Sequence, residues 1–226
     1  MVCLIEILYS DKDILVCIKP AGLVSEAGEN SLPAALKEQT EADVYAAHRL
    51  DTGVSGEMVY ALNKRAAAQL STQMQNGAFV KQYLAVLRGV PSEASGTYTD
   101  MLFHDRRRNK SFVVDKARAG VKKAVLDYSL KASVDYGGNA LSLVQIRLHT
   151  GRTHQIRVQF SARKTPLYGD GKYGGRTEKQ GIALLSYSIS FNHPQNGKRL
   201  EFTADIPQGL PWELFWQTQP DFSKKI

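Results

Sequence analysis

Residues 48 to 56 read His48-Arg49-Leu50-Asp51-Thr52-Gly53-Val54-Ser55-Gly56, a carboxylate beside a cation at the mouth of a Gly-punctuated turn. An Asp next to an Arg has a physical reason to stay ionised, because the opposite charge favours the charged form. Ionised and held in place, it is a nucleophile or a base. A second group is Tyr83, a lone phenol in the strand-like run Lys81-Gln82-Tyr83-Leu84-Ala85-Val86. A third is Leu148 to Arg157, where a strand ends, Gly151 turns the chain, and a basic, hydroxyl-rich stretch opens a helix. Backbone N–H groups at a helix opening suit an anion. On residue type alone, a turn Asp with a surface Arg and a strand Tyr packed in a core explain the first two groups as well.

Regular elements must carry these groups. Ile5 to Pro20 reads as two short strands around Ser10-Asp11-Lys12-Asp13, and Lys19 to Leu23 as a loop. Ser31 caps a helix with Pro33 inside its first turn. Asn63 to Asn76 is the clearest helix, with Ala66, Ala67, Leu70 and Met74 on one side and Gly77 past its end. Phe79 to Val86 alternates as a strand. After Arg88-Gly89-Val90-Pro91 the expected strands are Ala124 to Ala132, Asn139 to Leu148, Ile182 to Phe191 and Arg199 to Phe202. His154 to Ala162 reads as a helix that buries Ile156, Val158 and Phe160 and leaves Arg157 and Arg163 toward its edges. The pattern predicts one mixed α+β unit in two halves meeting at a cleft.

The 226 residues carry 29 Lys and Arg against 22 Asp and Glu, a net charge of +7 that favours a polyanionic partner. The excess is concentrated. Seven Arg or Lys lie between Arg147 and Arg176 against one acid, Asp170, and Arg106-Arg107-Arg108-Asn109-Lys110 is a second basic cluster. Glu26 to Asp43 is acidic, so the two kinds of region belong on different faces. No apolar run is long enough to span a bilayer, and the first residues lack a secretion signal. The expectation is a cytoplasmic monomer without a membrane partner. Cys3 and Cys17, the only cysteines, sit in apolar runs and read as reduced core thiols. His149 and His154 have no Cys or acid at ligand spacing, so no metal is expected.

The stretch HRLDTGVSG resembles the HRLDxxTSG signature of the RluA-type pseudouridine synthases. Ile7 to Val16 with Lys19-Pro20-Ala21-Gly22-Leu23, KQYLAVLRG at 81–89, GRTHQIRVQF at 151–160, and Pro166-Leu167-Tyr168-Gly169-Asp170 with Tyr173-Gly174 resemble further blocks of that family, in order. The likeness covers nearly the whole chain. It implies an α+β pseudouridine synthase fold: a mixed, mostly antiparallel sheet in two halves, flanked by helices and loops, with a central catalytic cleft. It implies an isomerase of uridine in ribosomal or transfer RNA, active in rRNA or tRNA processing without metal or organic cofactor. The N1 glycosidic bond breaks and C5 bonds to the same ribose carbon. Asp51 takes the role of essential catalytic residue, Tyr83 stacks on the uracil, and Arg152 pairs with the Asp. Arg157 is a rival for that pairing, with a surface phosphate contact as its expected task. Arg49 fills the space left by a flipped uridine. His48, which fixes the loop by hydrogen bonding, is grouped with the RNA-binding residues.

Two departures stand out. Val54 replaces the Thr of TSG, and Ala162-Arg163-Lys164-Thr165-Pro166-Leu167 replaces a GHPL-type stretch. Many relatives carry an S4-type RNA-binding domain; this sequence reads as a single catalytic domain over 1–226 without one. RNA affinity is then expected from Arg106, Arg107, Arg108, Lys110, Arg157, Arg163 and Lys164, with a steep salt dependence. Two other classes compete. One is a catalytically silent RNA-binding or ribosome-assembly protein on the same fold, against which Asp51, Tyr83 and Arg152 argue. The other is a glycoside hydrolase, which needs two facing carboxylates; Glu57 and Asp170 are the nearest candidates and sit in no comparable setting.

Overall fold

The computed structural model describes residues 4–116 and 118–216. In chain order its elements are β1 (Ile7–Ser10), β2 (Ile14–Lys19), α1 (Leu32–Thr40), β3 (Tyr45–Ala46), β4 (Ser55–Ala61), α2 (Lys64–Gln75), β5 (Val80–Arg88) and β6 (Ser95–Asp105). There follow β7 (Lys110–Val113), β8 (Val121–Tyr136), β9 (Asn139–Leu148), α3 (Gln155–Ala162), β10 (Leu184–Asn192) and β11 (Arg199–Thr203). Short 3-10 turns occupy Gly171–Tyr173 and Trp212–Phe215. Strands and helices are mixed as an α+β fold, and the strand pairing is mostly antiparallel. The chain divides into two compact units, 1–82 with 185–204 and 83–184 with 205–226.

In the first unit the strand order is β1-β2-β4-β10, with β11 on β10 and β3 on β4. Alternation sets its core. Ile14 and Val16, Val59 and Ala61, and Ile189 and Phe191 point to one face, where Ala66 and Leu70 of α2 pack on them. The intervening Leu15, Cys17, Met58 and Tyr60 are buried too, so β2 and β4 read as continuous apolar runs. Asn63 caps α2 by accepting the Ala66 N–H, and Ser31 caps α1 by accepting that of Ala34. The buried Cys17 thiol is pushed up to about 12 by desolvation, which keeps it protonated. Cys3 lies outside the described residues.

The second unit orders its strands β5-β9-β8-β6-β7. β8 pairs with β9 on one side and β6 on the other, both antiparallel, with an irregularity between Leu130 and Ala132. The sequence reading missed β6 and β7. Ser95-Gly96-Thr97-Tyr98-Thr99-Asp100 has few aliphatic residues, yet its Thr and Tyr side chains suit a half-exposed strand paired to β8. The run Arg106 to Asn109 is thereby the tip of a hairpin. Leu102, Ala124, Val158 and Tyr173 form a core cluster here.

β4 and β10 are parallel neighbours at Ser55↔Leu185 and Gly56↔Ser186. Gly56 has φ +116°, and a Cβ there would lie 2.7 Å from the Ser186 nitrogen and close to its carbonyl. Both the torsion and the contact demand glycine. Gly56→Ala should lower stability by about 3 kcal/mol in urea unfolding, from torsional strain plus overpacking. A loss below ~1 kcal/mol would mean the two strands can part cheaply.

Candidate active site

Asp51 lies in the connection from β3 to β4, half-buried, and that connection is gripped through its backbone. Ser25 Oγ accepts the Leu50 N–H at 3.1 Å and donates to the Leu50 carbonyl at 2.9 Å. One hydroxyl thus satisfies both backbone groups of the residue before Asp51, in a buried place where they would otherwise be orphaned. Tyr60 Oη donates to the Ser25 carbonyl at 2.8 Å and anchors that serine in turn. On the other side of Asp51, the Thr52 carbonyl accepts the Gly22 N–H at 2.7 Å and Lys19 Nζ at 3.2 Å. The Val54 N–H closes the turn on the Asp51 carbonyl at 3.0 Å. Val54 itself is buried, so the family's missing hydroxyl is replaced by an apolar contact and the turn persists.

Lys19 was not singled out by sequence reasoning. It is fully buried, and its ammonium also donates to the Pro20 carbonyl at 2.8 Å. Burial lowers its pKa to about 8, and the charge of Asp51 opposes that shift. A cation ending the apolar run Ile14 to Ile18, just before a Pro, was the available signal. Arg49, the sequence neighbour, is instead half-exposed with Nη1 3.2 Å from Glu26 Oε2.

His48 is buried, and its Nε2 accepts the Val59 N–H at 3.2 Å. The ring expected to fix the loop, and grouped with the RNA contacts, is thus covered and bonded to β4. Tyr83 is buried on β5, which runs from the first unit into the second.

In the second unit the GRTHQIR block is organised by Gln155. Its Oε1 accepts Thr150 Oγ1 at 2.8 Å and the Arg152 N–H at 3.0 Å, and its Nε2 donates to the Val125 carbonyl at 3.1 Å. Arg152 is partly exposed, with Nε donating to the Lys123 carbonyl at 3.0 Å. Arg157 departs from expectation. It is 6% exposed and forks onto Asp170, Nε to Oδ2 at 2.6 Å and Nη2 to Oδ1 at 2.8 Å. The surface placement expected for it is therefore corrected: α3 buries every residue from Gln155 to Phe160, so it has no polar edge for an Arg. Asp170 is held by a loop that needs Gly169, at φ +77°, where a Cβ would collide with the Gly181 carbonyl. The lone acid in a basic stretch was the signal for Asp170.

The other basic candidates divide. Arg106, Arg107 and Arg108 are exposed at the β6–β7 tip, where Asp105 Oδ1 accepts the N–H groups of Arg107 and Arg108 at 2.9 and 3.2 Å. Lys110 is half-buried, with Nζ 5.2 Å from the Tyr173 ring centre. Lys164 is exposed. Arg163, grouped with the RNA contacts, is bound to Asp100 at 2.9 and 3.2 Å and lies 3.8 Å over the Tyr98 ring, which commits its guanidinium to the fold.

His149 and His154 hold Asp127 Oδ2 at 2.6 Å and the Tyr173 hydroxyl at 3.0 Å. Among the described residues, Asp11, Asp13 and His193 have ligand-type atoms within 4.8 Å of one another. Hydrogen bonds account for Asp11 and His193, and Asn63 donates to Asp13 Oδ1, while Asp13 Oδ2 is buried without a hydrogen-bond partner among the described residues. Asp11 accepts the N–H groups of Asp13 and Ile14 on Oδ1, and Tyr9 Oη and His193 Nε2 on Oδ2. His193 Nδ1 accepts the Gln195 N–H, so the proton sits on Nε2, the nitrogen facing the carboxylates.

The chain matches the family model of the RNA pseudouridylate synthases over residues 13–162. Its fold is that of two human proteins, RNA pseudouridylate synthase domain containing 1 and 4. The first has a TM-score of 0.75 at 24% identity, covering 97% of this chain and 96% of that one. The second has a TM-score of 0.72 at 22% identity, covering 96% and 93%. Curated relatives include the ribosomal large subunit pseudouridine synthase D of Zymomonas mobilis, 32% identical over 91% of this chain and 70% of the relative. That of Xanthomonas campestris is 34% identical over 91% and 67%. An uncharacterized RNA pseudouridine synthase of Bacillus subtilis is 31% identical over 91% and 70%. The chain belongs to the RNA pseudouridylate synthase family, and its enzyme class is isomerase.

The sharpest electrostatic consequence falls on His48. Burial, then the charge of Lys81, lowers its pKa to about 3 from 6.5. The unfolded chain then binds more protons between these values, so this contribution is full above pH 6.5 and declines as pH falls toward 3. His48→Gln keeps an acceptor for the Val59 N–H without the titration. Between pH 6.5 and 4.5, wild type should lose about 2 kcal/mol more than this variant in chemical unfolding. Parallel pH curves would show that His48 charges freely in the fold.

Proposed function

We propose that this chain isomerises uridine to pseudouridine in ribosomal or transfer RNA, with Asp51 as the essential catalytic residue. The observation that carries the reading is the double grip on the Asp51 turn, with Ser25 on Leu50 and Lys19 with Gly22 on Thr52. A carboxylate that must act on one nucleoside gains from a backbone that cannot drift. Two relatives named for the ribosomal large subunit favour ribosomal RNA as the substrate. Tyr83 is proposed to stack on the uracil, and Arg49 to enter the space of the flipped nucleotide after leaving Glu26. That exposed ion pair is worth only about 0–1 kcal/mol, so an RNA phosphate can compete for it. The exposed cations at 106–108 and Lys164 are proposed to hold the RNA backbone.

Burial separates the two arginines of the GRTHQIR block. Arg157 is buried and fixed by Asp170, which suits a cation held permanently within its own unit. Arg152, partly exposed, suits an RNA phosphate.

In the reaction the N1–C1′ bond breaks, a C5–C1′ bond forms, the C5 hydrogen leaves to water as a proton, and N1 takes up a proton from water. RNA labelled with tritium at uridine C5, taken from cells lacking this protein, tests it. Wild type should release tritium, and Asp51→Ala should release none above background while still binding RNA. Equal release by the two, or free uracil as the product, would defeat the assignment. Arg152→Met should weaken binding and flatten its log–log salt dependence by about one unit, with turnover at saturating RNA within about tenfold of wild type. Complete loss of turnover at saturation would return Arg152 to the catalytic role.

A further inference from the structure

The basic hairpin and Arg157 converge on one phenol. Tyr173 ends the 3-10 turn after Asp170 and is 5% exposed. Its oxygen accepts the Ser111 N–H at 2.7 Å and lies 3.0 Å from His154 Nδ1. A backbone N–H can only donate, so the phenol oxygen accepts there, and the direction of its bond with Nδ1 is set by the His154 tautomer. The ring is the contact surface of two cations, Arg157 Cζ at 5.1 Å and Lys110 Nζ at 5.2 Å from its centre.

Neighbouring bonds tighten the same junction. Ser111, which follows Lys110 on β7, donates its hydroxyl to the Thr153 carbonyl at 2.6 Å and meets His104 Nδ1 at 3.2 Å. Lys172 Nζ donates to the Asn109 carbonyl at 3.0 Å, and Ser161 Oγ of α3 to the Tyr173 carbonyl at 2.7 Å. The β6–β7 hairpin, the opening of α3 and the turn after Asp170 are thus joined, all within the second unit.

We infer that Tyr173 is a positioning residue: its hydroxyl sets the β6–β7 hairpin, with Arg106, Arg107 and Arg108 at its tip, against the helix that carries Arg157. The inference rests on the reading of that hairpin as an RNA contact. A hairpin held at both strands presents its cations in one geometry, and a loosened one must be ordered by the RNA at a cost in affinity. Tyr173→Phe keeps the ring for both cations and removes only the hydroxyl.

The test uses the full chain as wild type, Tyr173→Phe, the triple variant Arg106→Gln, Arg107→Gln, Arg108→Gln, and the two combined. Affinity for unmodified cellular RNA is measured at fixed salt, with amide exchange on the free proteins. Tyr173→Phe should bind about tenfold more weakly, the scale expected when a buried donor loses its acceptor. Exchange should quicken across 104–113 and 153–157 and stay unchanged elsewhere. In the triple-Gln background the same substitution should cost less than about twofold, since the two changes act through one element. Ser111→Ala, which removes the ties to Thr153 and His104 and keeps the Ser111 N–H on Tyr173, gives the same pattern at smaller amplitude and serves if Tyr173→Phe melts too early. An equal loss in both backgrounds, or a Ser111 amide still protected in Tyr173→Phe, overturns the inference. Failure of the hairpin reading shows separately, as affinity unchanged by the three Gln substitutions.

Discussion

The buried fork between Arg157 and Asp170 is the constraint around which the second unit is arranged. Both groups leave water almost completely, at 6% and 1% exposure, so their mutual attraction must offset a desolvation cost of several kcal/mol per ion. Removing either partner would strand a charge, at a cost of about 3–5 kcal/mol. A pair of this kind contributes direction more than net stability. It fixes both Arg157 and the loop that carries Asp170, and that loop leaves no room for a side chain at Gly169. The turn that follows delivers Tyr173 to the hairpin.

The first unit holds its site by a different means. Around Asp51 the contacts reach the backbone, from the side chains of Ser25 and Lys19 and from the Gly22 N–H, and they fix the two residues that flank the carboxylate. Hydrogen bonds of this kind specify the path of the chain on both sides of Asp51. The aliphatic face under α2 then fixes the strand that follows, because β4 contributes Val59 and Ala61 to that core. The gripped backbone at Leu50 and Thr52 and the packed residues Val59 and Ala61 lie within a dozen residues of sequence.

Much of this was legible in the residues. Helix α2 announced itself through Asn63, the apolar spacing and Gly77, and the first hairpin through its short polar turn, because local physics decides both. The pairing of β6 with β7 was not legible. A strand with one exposed face and many Thr and Ser residues resembles a loop until its partner is known. Arg157 was misplaced for a related reason. An eight-residue helix covered on all sides has no amphipathic stripe, so periodicity cannot say which of its charges is buried. Its partner, Asp170, lies on a loop thirteen residues away, a distance that only tertiary structure closes.

The same distinction decides which cation of its own unit acts on Asp51. Sequence adjacency suggested Arg49, yet an exposed Arg already paired with Glu26 exerts a field that water and salt screen. Lys19 is farther along the chain and fully buried, and its ammonium sits on the carbonyl of the residue after Asp51. Burial draws its pKa down only to about 8, so at neutral pH it remains a cation. A buried charge acts through fewer water molecules than an exposed one, and its influence on a nearby carboxylate is correspondingly larger. A buried cation that acts on the carboxylate is thus placed by the loop at Pro20 to Ser25, which folds back on the turn, and not by the order of residues in the motif.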